Sequence, residues 1–206
     1  ISRDETMIKA FRNNQDLHRL TASLLLSKPF DKVTKEERQS AKAVNFGLVY
    51  AMGAKGLRAY SLTNYGVEIT EKQAETFKNK FFQVYKGVAK WHESVKKRNS
   101  KESCTLCGRR VLWKENLGAA ALNTPVQGTA ADIVKNALGM LIKELEGTEA
   151  KIIGTVHDEI ILEVPEEKAE RAADILKCTM EKAGEKYMKQ VHLIAEVFIG
   201  SSWAEK

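Results

Sequence analysis

Apolar residues recur every three or four positions through the first half of the chain, which is the spacing of amphipathic helices. They predict helices over about 4–12, 16–27, 55–65, 70–85 and 87–99. In the second half, two β-branched runs at 151–156 and 160–164 flank a short polar turn and predict a β-hairpin. The pattern therefore predicts an α+β fold, with a helical first part and an antiparallel sheet flanked by helices in the second.

Turn and breaker residues divide the rest of the second half. A glycine turn predicts a hairpin over 104–113, and a long helical pattern over 117–146 is interrupted at Thr124–Pro125. Pro165 and two glutamates predict a helix from there to about Lys189. The alternating residues Val191–Ile199 predict a closing strand.

One helical segment, 38–50, carries functional side chains at intervals of four, which we call the ligand row: Arg38, Lys42, Phe46 and Tyr50. Residues four apart share one face of an α-helix, about 6 Å apart along its axis. Two cations at one end suit phosphate oxygens, and two rings at the other suit a flat base. An amphipathic helix with solvated cations and core aromatics has the same spacing, so spacing alone leaves both interpretations open.

The letters of this segment are more specific than its spacing. Ser40–Tyr50 resembles the O-helix (motif B) of family A DNA polymerases, the bacterial polymerase I type, written R-x-x-x-K-x-x-x-F/Y-x-x-x-Y-G. The resemblance implies that Arg38 and Lys42 bind the triphosphate of a dNTP, and that Phe46 and Tyr50 bracket its base. Ala51 departs from the usual glycine, and we expect its methyl group to stiffen the helix end.

Two shorter segments resemble other parts of the same family. Residues 16–22 resemble D-I-H-x-x-T-A, which implies that His18 contacts the triphosphate; taken alone, His18 is equally a packed or surface histidine. Residues 105–111 resemble T-L-x-G-R-R-R. In that family Arg109 and Arg110 would meet a DNA phosphate, although adjacent arginines after a turn are also simply exposed.

Residues 123–132 closely match the family pattern N-x-P-x-Q-G-T-A-A-D. The resemblance implies that Asn123 and Gln127 face the minor groove of a primer–template, where every correct pair offers a hydrogen-bond acceptor. We interpret Asp132 as structural. Ala119 stands where the family usually has an arginine, so one DNA contact is expected to be missing.

The predicted hairpin near residue 158 has an acidic tip, His157-Asp158-Glu159, which we call the acidic turn. Strand-tip carboxylates suit Mg²⁺, a hard cation that prefers oxygen ligands, although many turns contain such residues. In sequence context the turn resembles motif C of the same family. That resemblance implies that Asp158 is a catalytic metal ligand, Glu159 a supporting carboxylate and His157 a neighbour of the primer end. We expect the ligand row to lie opposite this turn.

Nucleotidyl transfer by two Mg²⁺ ions needs at least two carboxylates, which hold ions about 4 Å apart. The family supplies one of them from a D-Y-S-Q-I-E segment (motif A), which does not occur in this chain. We therefore expect residues 1–100 to form the fingers and 101–206 a partial palm, completed by a complementary chain that carries motif A and the thumb. The alternative is a non-catalytic nucleic-acid-binding or assembly module derived from a polymerase.

Composition agrees with an anionic partner without proving one. The 206 residues include 33 Lys and Arg against 27 Asp and Glu, with a pI near 9.1. Three cysteines argue against a disulfide framework, and the C-x-x-C of Cys104 and Cys107 has no second pair for zinc. No apolar run approaches 18 residues, so we expect no membrane partner. The start does not resemble a signal peptide, so we expect a cytoplasmic protein that is bacterial, from a phage or associated with the nucleoid.

Overall fold

A computed structural model describes residues 1–115 and 118–205, and the chain divides into two compact units. The N-terminal unit comprises Ile1–Cys104 and Arg110–Pro125, and the C-terminal unit comprises Thr105–Arg109 and Val126–Lys206. Mostly helical, with two small antiparallel sheets, the chain has the predicted α+β fold. The assignment of residues 1–100 to fingers and 101–206 to palm remains a prediction.

The N-terminal unit begins with six helices, which follow the predicted pattern closely. They are α1 (Glu5–Arg12), α2 (Leu17–Leu26), α3 (Lys35–Val49), α4 (Ala54–Tyr65), α5 (Glu71–Val84) and α6 (Lys86–Arg98). Asp4 and Asp16 cap α1 and α2 through their carboxylates. Thr34 and Thr70 open α3 and α5 with full capping boxes, in which Glu37 closes the first of them. These local signals explain why the helix starts agree with prediction.

The core of this unit lies among α2 to α6. Its largest fully buried side chains are Tyr85, Phe81, Leu48, Leu57, Val44 and Val88. At the edge of the unit, the spacing of apolar residues over 4–12 predicts that Met7, Ile8 and Phe11 face inward, but Phe11 is 55% exposed. The buried stripe of that short helix passes through Ala10 instead, so Phe11 falls at its side.

A short hairpin pairs β1 (Glu102–Cys104) with β2 (Arg110–Leu112) in antiparallel register, as predicted. The helix that follows, α7 (Gly118–Glu144), runs through Pro125 without ending, so the predicted interruption there was wrong. Proline has no backbone N–H to give the carbonyl four residues earlier, which belongs to Ala121. The hydroxyl of Ser103 donates to that carbonyl at 3.2 Å. This substitute donor explains how the helix tolerates the proline.

The C-terminal unit contains the predicted acidic hairpin. Strands β3 (Lys151–Val156) and β4 (Glu159–Glu163) pair antiparallel, with an irregularity between Ile152 and Gly154. After a 3₁₀ turn at Glu166–Lys168, α8 (Ala169–Glu185) packs its apolar side against α7 and the hairpin, and together they form the core of the C-terminal unit. The buried members of that core are Ile133, Ala137, Leu141, Leu145, Ile160, Leu176 and Ala183.

The predicted strand over Val191–Ile199 is wrong. No strand within residues 1–115 and 118–205 pairs with this segment, and a strand exists only through such hydrogen bonds. It nevertheless alternates in burial, with Ala195 buried and Ile194 and Phe198 exposed by 68% and 50%. Its Ala195 N–H donates to the Glu181 carboxylate of α8 at 3.2 Å. The segment is therefore packed on one side and open on the other.

Cys104, Cys107 and Cys178 are all free thiols. Within the described ranges, no helix combines the length with the hydropathy that a bilayer span needs.

Candidate functional site

The ligand row lies on the less buried side of α3. The buried residues of that helix are Ala41, Ala43, Val44, Asn45, Gly47 and Leu48. Packing of these residues against the core leaves the row facing away from it, with Phe46 45% exposed. The core and the capping box together fix the helix, so the four side chains are presented on a rigid element.

Arg38, at the start of the row, forms an ion pair with Asp16. Its Nε donates to Asp16 Oδ2 at 2.6 Å, while Asp16 Oδ1 accepts the Arg19 N–H at 2.9 Å as the cap of α2. Burial raises the pKa of Asp16, but these hydrogen bonds and the guanidinium charge outweigh it and hold the pKa below its usual value. Asp16 therefore stays ionised and holds one edge of Arg38.

His18 lies beside the ring of Phe46, with the ring centroids 5.6 Å apart. Its Nδ1 is 2.9 Å from the Asn45 amide nitrogen. Burial lowers the pKa of His18. The Asp16 carboxylate acts against this shift, whereas the Arg38 and Lys42 cations add to it, and the net pKa is below its ordinary value. The predicted triphosphate residues His18, Arg38 and Lys42 thus come together in one compact unit.

The other end of α3 has its own supports. Lys42 Nζ lies 5.8 Å from the centroid of the Tyr65 ring on α4, a cation–π distance. Tyr50 is the C-terminal cap residue, and His92 of α6 donates from Nε2 to the Val49 carbonyl at 2.8 Å. Ala51 has a φ of 61°, in the left-handed region that alanine disfavours. The glycine usual in the resembling family would adopt this conformation without strain.

The two arginines of the first hairpin both have acidic partners. Arg109 donates from Nε to Asp132 Oδ1 at 2.7 Å, and Thr105 Oγ1 donates to the other carboxylate oxygen of Asp132, also at 2.7 Å. Burial raises the pKa of Asp132, but these bonds and the Arg109 charge leave it below its usual value. Asp132 is therefore structural, as interpreted, and binds side chains. Arg110 makes a bidentate pair with Glu102, with both distances 2.6 Å.

The proposed minor-groove residues lie four apart on α7. Asn123 and Gln127 are both exposed. Ala119, one turn earlier, is also exposed, so an arginine there would reach the same side of the helix.

The acidic turn joins β3 to β4, whose Val156 and Glu159 face each other in the register. His157 has a φ of 54°, a left-handed conformation that closes the turn. Asp158 is exposed and Glu159 half-buried. Among the described residues, no three His, Cys, Asp or Glu side chains converge as a metal site would require.

The sequence matches the model of DNA polymerase family A over residues 1–205. The chain belongs to DNA polymerase family A. It is 41% identical to DNA polymerase I of Aquifex aeolicus over 209 residues, covering 98% of this chain and 36% of that protein. It is 34% identical to the thermostable DNA polymerase I of Thermus aquaticus, with 98% of this chain and 25% of that protein covered.

A solved relative of this polymerase family agrees in fold. It is the POL domain of Pol1 from M. smegmatis in complex with DNA primer-template and dNTP, which superposes with a TM-score of 0.80 at 32% identity. The match covers 93% of this chain and 35% of that one. The chain thus spans about a third or less of the length of these family A relatives.

Three residues that support the family A motifs escaped the sequence interpretation. Asp16 carried a readable signal, because an aspartate directly before a helical pattern is a preferred N-cap. Asn45 carried a weaker one, as an amide among the apolar positions of α3. Ser103 carried none, because its partner Ala121 lies 18 residues further along the chain.

Proposed function

We propose that this chain supplies the dNTP-binding helix and part of the catalytic surface of a template-directed DNA polymerase. In the proposed reaction the primer 3′-hydroxyl attacks the α-phosphate of a dNTP, and diphosphate leaves. The chain would perform it only together with a complementary segment. The M. smegmatis relative was solved with DNA primer-template and dNTP, which supports these two partners.

The observation that carries the proposal is the grouping of phosphate and base ligands within the N-terminal unit. Arg38 and Lys42 place two cations on one side of α3, and His18 lies next to Phe46. A triphosphate would replace Asp16 as the partner of Arg38, or share Arg38 with it, since the hydrogen bond from Nε to Asp16 uses only one of the five guanidinium N–H donors. Phe46, almost half exposed, offers a ring face to the base.

The acidic turn fits Mg²⁺ in its donor chemistry. Asp158 and Glu159 offer only oxygen ligands on a rigid hairpin, and Mg²⁺ in phosphate chemistry takes one or two carboxylates with water and substrate. Asp158 would hold the ions, Glu159 would support it, and a further carboxylate would come from outside this chain. Two bound Mg²⁺ ions supply charge stabilisation for the attacking and leaving oxygens.

The proposed DNA contacts divide between two chemistries. Asn123 and Gln127 would donate to base acceptors in the minor groove, and His157 would lie near the primer end. Arg109 and Arg110 would meet phosphates with the N–H donors that their carboxylate partners leave unused. The exposed methyl of Ala119 offers no such contact, so we expect a lower affinity for the primer–template than an arginine there would give.

The open side of residues 191–199 supports the complementary segment. Ile194, Phe198 and Ile199 are exposed by 68%, 50% and 46% on an extended stretch whose other side packs against α8. Such a stretch can accept a further strand along its backbone. A strand paired along this backbone would carry the second catalytic carboxylate, and its side chains would pack beside the exposed ones.

Primer extension tests the proposal. The chain is assayed alone, and then mixed with the part of the Aquifex aeolicus relative that lies outside the matched region, with Mg²⁺, primer–template and dNTPs. We expect incorporation only in the mixture. DNA binding without incorporation in both assays would favour the non-catalytic module instead. Binding of a fluorescent dNTP to the chain alone, measured in parallel, reports on the ligand row independently of the partner.

A further inference from the structure

Asn45 is a buried amide in the middle of α3, only 4% exposed, one residue before Phe46. Asparagine is a poor helix former, and a buried amide costs free energy unless its groups are hydrogen-bonded. Both ends of this one are engaged. Its Oδ1 accepts from the Thr21 hydroxyl at 3.0 Å, and its Nδ2 lies 2.9 Å from Nδ1 of His18.

The amide is oriented by a chain of hydroxyls behind it. Thr21 is fully buried, and its oxygen lies 2.6 Å from the hydroxyl of Tyr85. Burial raises the pKa of Tyr85 to about 12, so that this hydroxyl keeps its proton and can donate it to Thr21. Thr21 then has its own proton, which lies between two acceptors, the Leu17 carbonyl at 2.8 Å and Asn45 Oδ1 at 3.0 Å. In this arrangement the amide nitrogen faces His18 as a donor.

A ring nitrogen that faces an amide donor must be the acceptor. We propose that Asn45 is a positioning residue that holds His18 in the neutral tautomer with its proton on Nε2. Nδ1 is then occupied, and Nε2 has no hydrogen-bond partner among the described residues. The helix α3 also carries the ligand row. The same helix therefore presents the cations proposed to bind phosphate and determines which nitrogen of His18 is the hydrogen-bond donor.

The charges around His18 agree with a neutral ring. Asp16 at the start of α2 favours the imidazolium, whereas Arg38 and Lys42 on α3 oppose it, and burial opposes it further. An imidazolium would also place an Nδ1–H against the amide N–H of Asn45, two donors with no acceptor between them. The role of this donor toward a triphosphate rests on the proposed function, but the tautomer itself does not.

Nitrogen-15 NMR of the imidazole rings tests the proposal in the full chain without nucleotide. The signals of His18 are identified as those that disappear from the spectrum of His18→Gln. We expect a neutral ring at pH 7 with Nε2 protonated. A proton on Nδ1 would mean that the Asn45 amide is reversed, and a charged ring would mean that Asn45 does not exclude the imidazolium; either result overturns the proposal.

A matched pair of variants makes the test causal. Asn45→Asp places an acceptor against Nδ1, and we expect it to move the proton there and to raise the pKa of His18 by about 1–3 units. Asn64→Asp makes the same chemical change at an exposed site on α4 and should leave the His18 spectrum unchanged. An Asn45→Asp chain that is folded, by its amide spectrum, yet keeps the wild-type tautomer and pKa would overturn the proposal. If Asn45→Asp unfolds, the wild-type tautomer decides.

Failure of the proposed function would look different. A chain that shows the Nε2 tautomer but binds no fluorescent dNTP would contradict nucleotide binding and support the role of Asn45 toward His18. A chain that binds dNTP with His18 in the Nδ1 tautomer would support nucleotide binding and contradict the role of Asn45 toward His18.

Discussion

The ligand row and the acidic turn are built in opposite ways. The row sits on a helix whose buried face packs in a core; Asp16 forms an ion pair with Arg38 of the row, and His18 is hydrogen-bonded to Asn45 of the same helix. The acidic turn is held by the backbone of a two-stranded hairpin, with Asp158 exposed. One site is organised by side chains that contact each other, and the other by a hairpin turn that exposes Asp158.

This difference has a functional consequence. A triphosphate needs several donors placed in advance, and the N-terminal unit contains such a set in itself. A two-metal site needs several carboxylates, and the described residues do not gather three metal-ligating side chains. We therefore expect nucleotide binding to depend on the N-terminal unit of this chain, and chemistry to depend on Asp158 together with a carboxylate from outside it.

Removal of Asp158 should have the largest effect. Asp158→Ala is expected to abolish primer extension in the mixture with the complementary polypeptide, because one of the carboxylates that hold Mg²⁺ is lost. DNA binding, measured by fluorescence anisotropy, should remain largely intact, since the side chain is exposed at a hairpin tip. Asp174→Asn removes an exposed carboxylate on α8 as a control and should extend primers normally. Normal extension by Asp158→Ala would show that the metal assignment is wrong.

Lys42 should matter next, and at the binding step. Lys42→Ala is expected to raise the Kd for a fluorescent dNTP by roughly 10- to 100-fold, because a charged hydrogen bond to phosphate is lost. Lys35→Ala, at the exposed first position of the same helix, removes an equal charge outside the ligand row. Equal losses in both variants would mean that only the overall charge of the helix attracts the nucleotide.

Ser103 tests how the N-terminal unit tolerates Pro125. Ser103→Ala should lower the free energy of unfolding by about 1–3 kcal/mol, because the buried carbonyl of Ala121 loses its hydroxyl donor. Ser40→Ala is the matched control: its hydroxyl also bonds a helix carbonyl, that of Glu36 at 2.9 Å, but in an exposed position. Its effect should stay within about 0.5 kcal/mol. Urea unfolding of both variants measures the difference.

Local signals account for what could be predicted from the sequence. Helix periodicity, the cap residues Thr34 and Thr70, and the two hairpins depend on residues a few positions apart, and all of them are present in the structure. The residues of the ligand row could be chosen in advance because their spacing and letters lie within one helix. What they bind remains a prediction.

Contacts between residues that are distant in the sequence account for the features that could not be predicted from it. The continuity of α7 depends on Ser103, and the state of His18 depends on Asn45, 27 residues away. Neither partner can be found by periodicity or capping rules. The stretch 191–199 shows a third case, because its alternation is that of a strand while strand formation needs a partner that the described residues do not supply.

Backbone strain gives the smallest and most direct comparison of the two sites, since each contains a left-handed residue other than glycine. Ala51 ends the ligand-row helix with a φ of 61°, and His157 closes the acidic turn with a φ of 54°. Histidine visits this region more readily than alanine does. We therefore expect Ala51→Gly to raise the free energy of unfolding by about 1 kcal/mol, and His157→Gly to raise it by less. Ala89→Gly, within α6, should instead lower it by up to about 1 kcal/mol, because glycine weakens a helix interior. Urea unfolding of the three variants checks the order, and an Ala51→Gly chain no more stable than the wild type would show that the end of α3 is not strained.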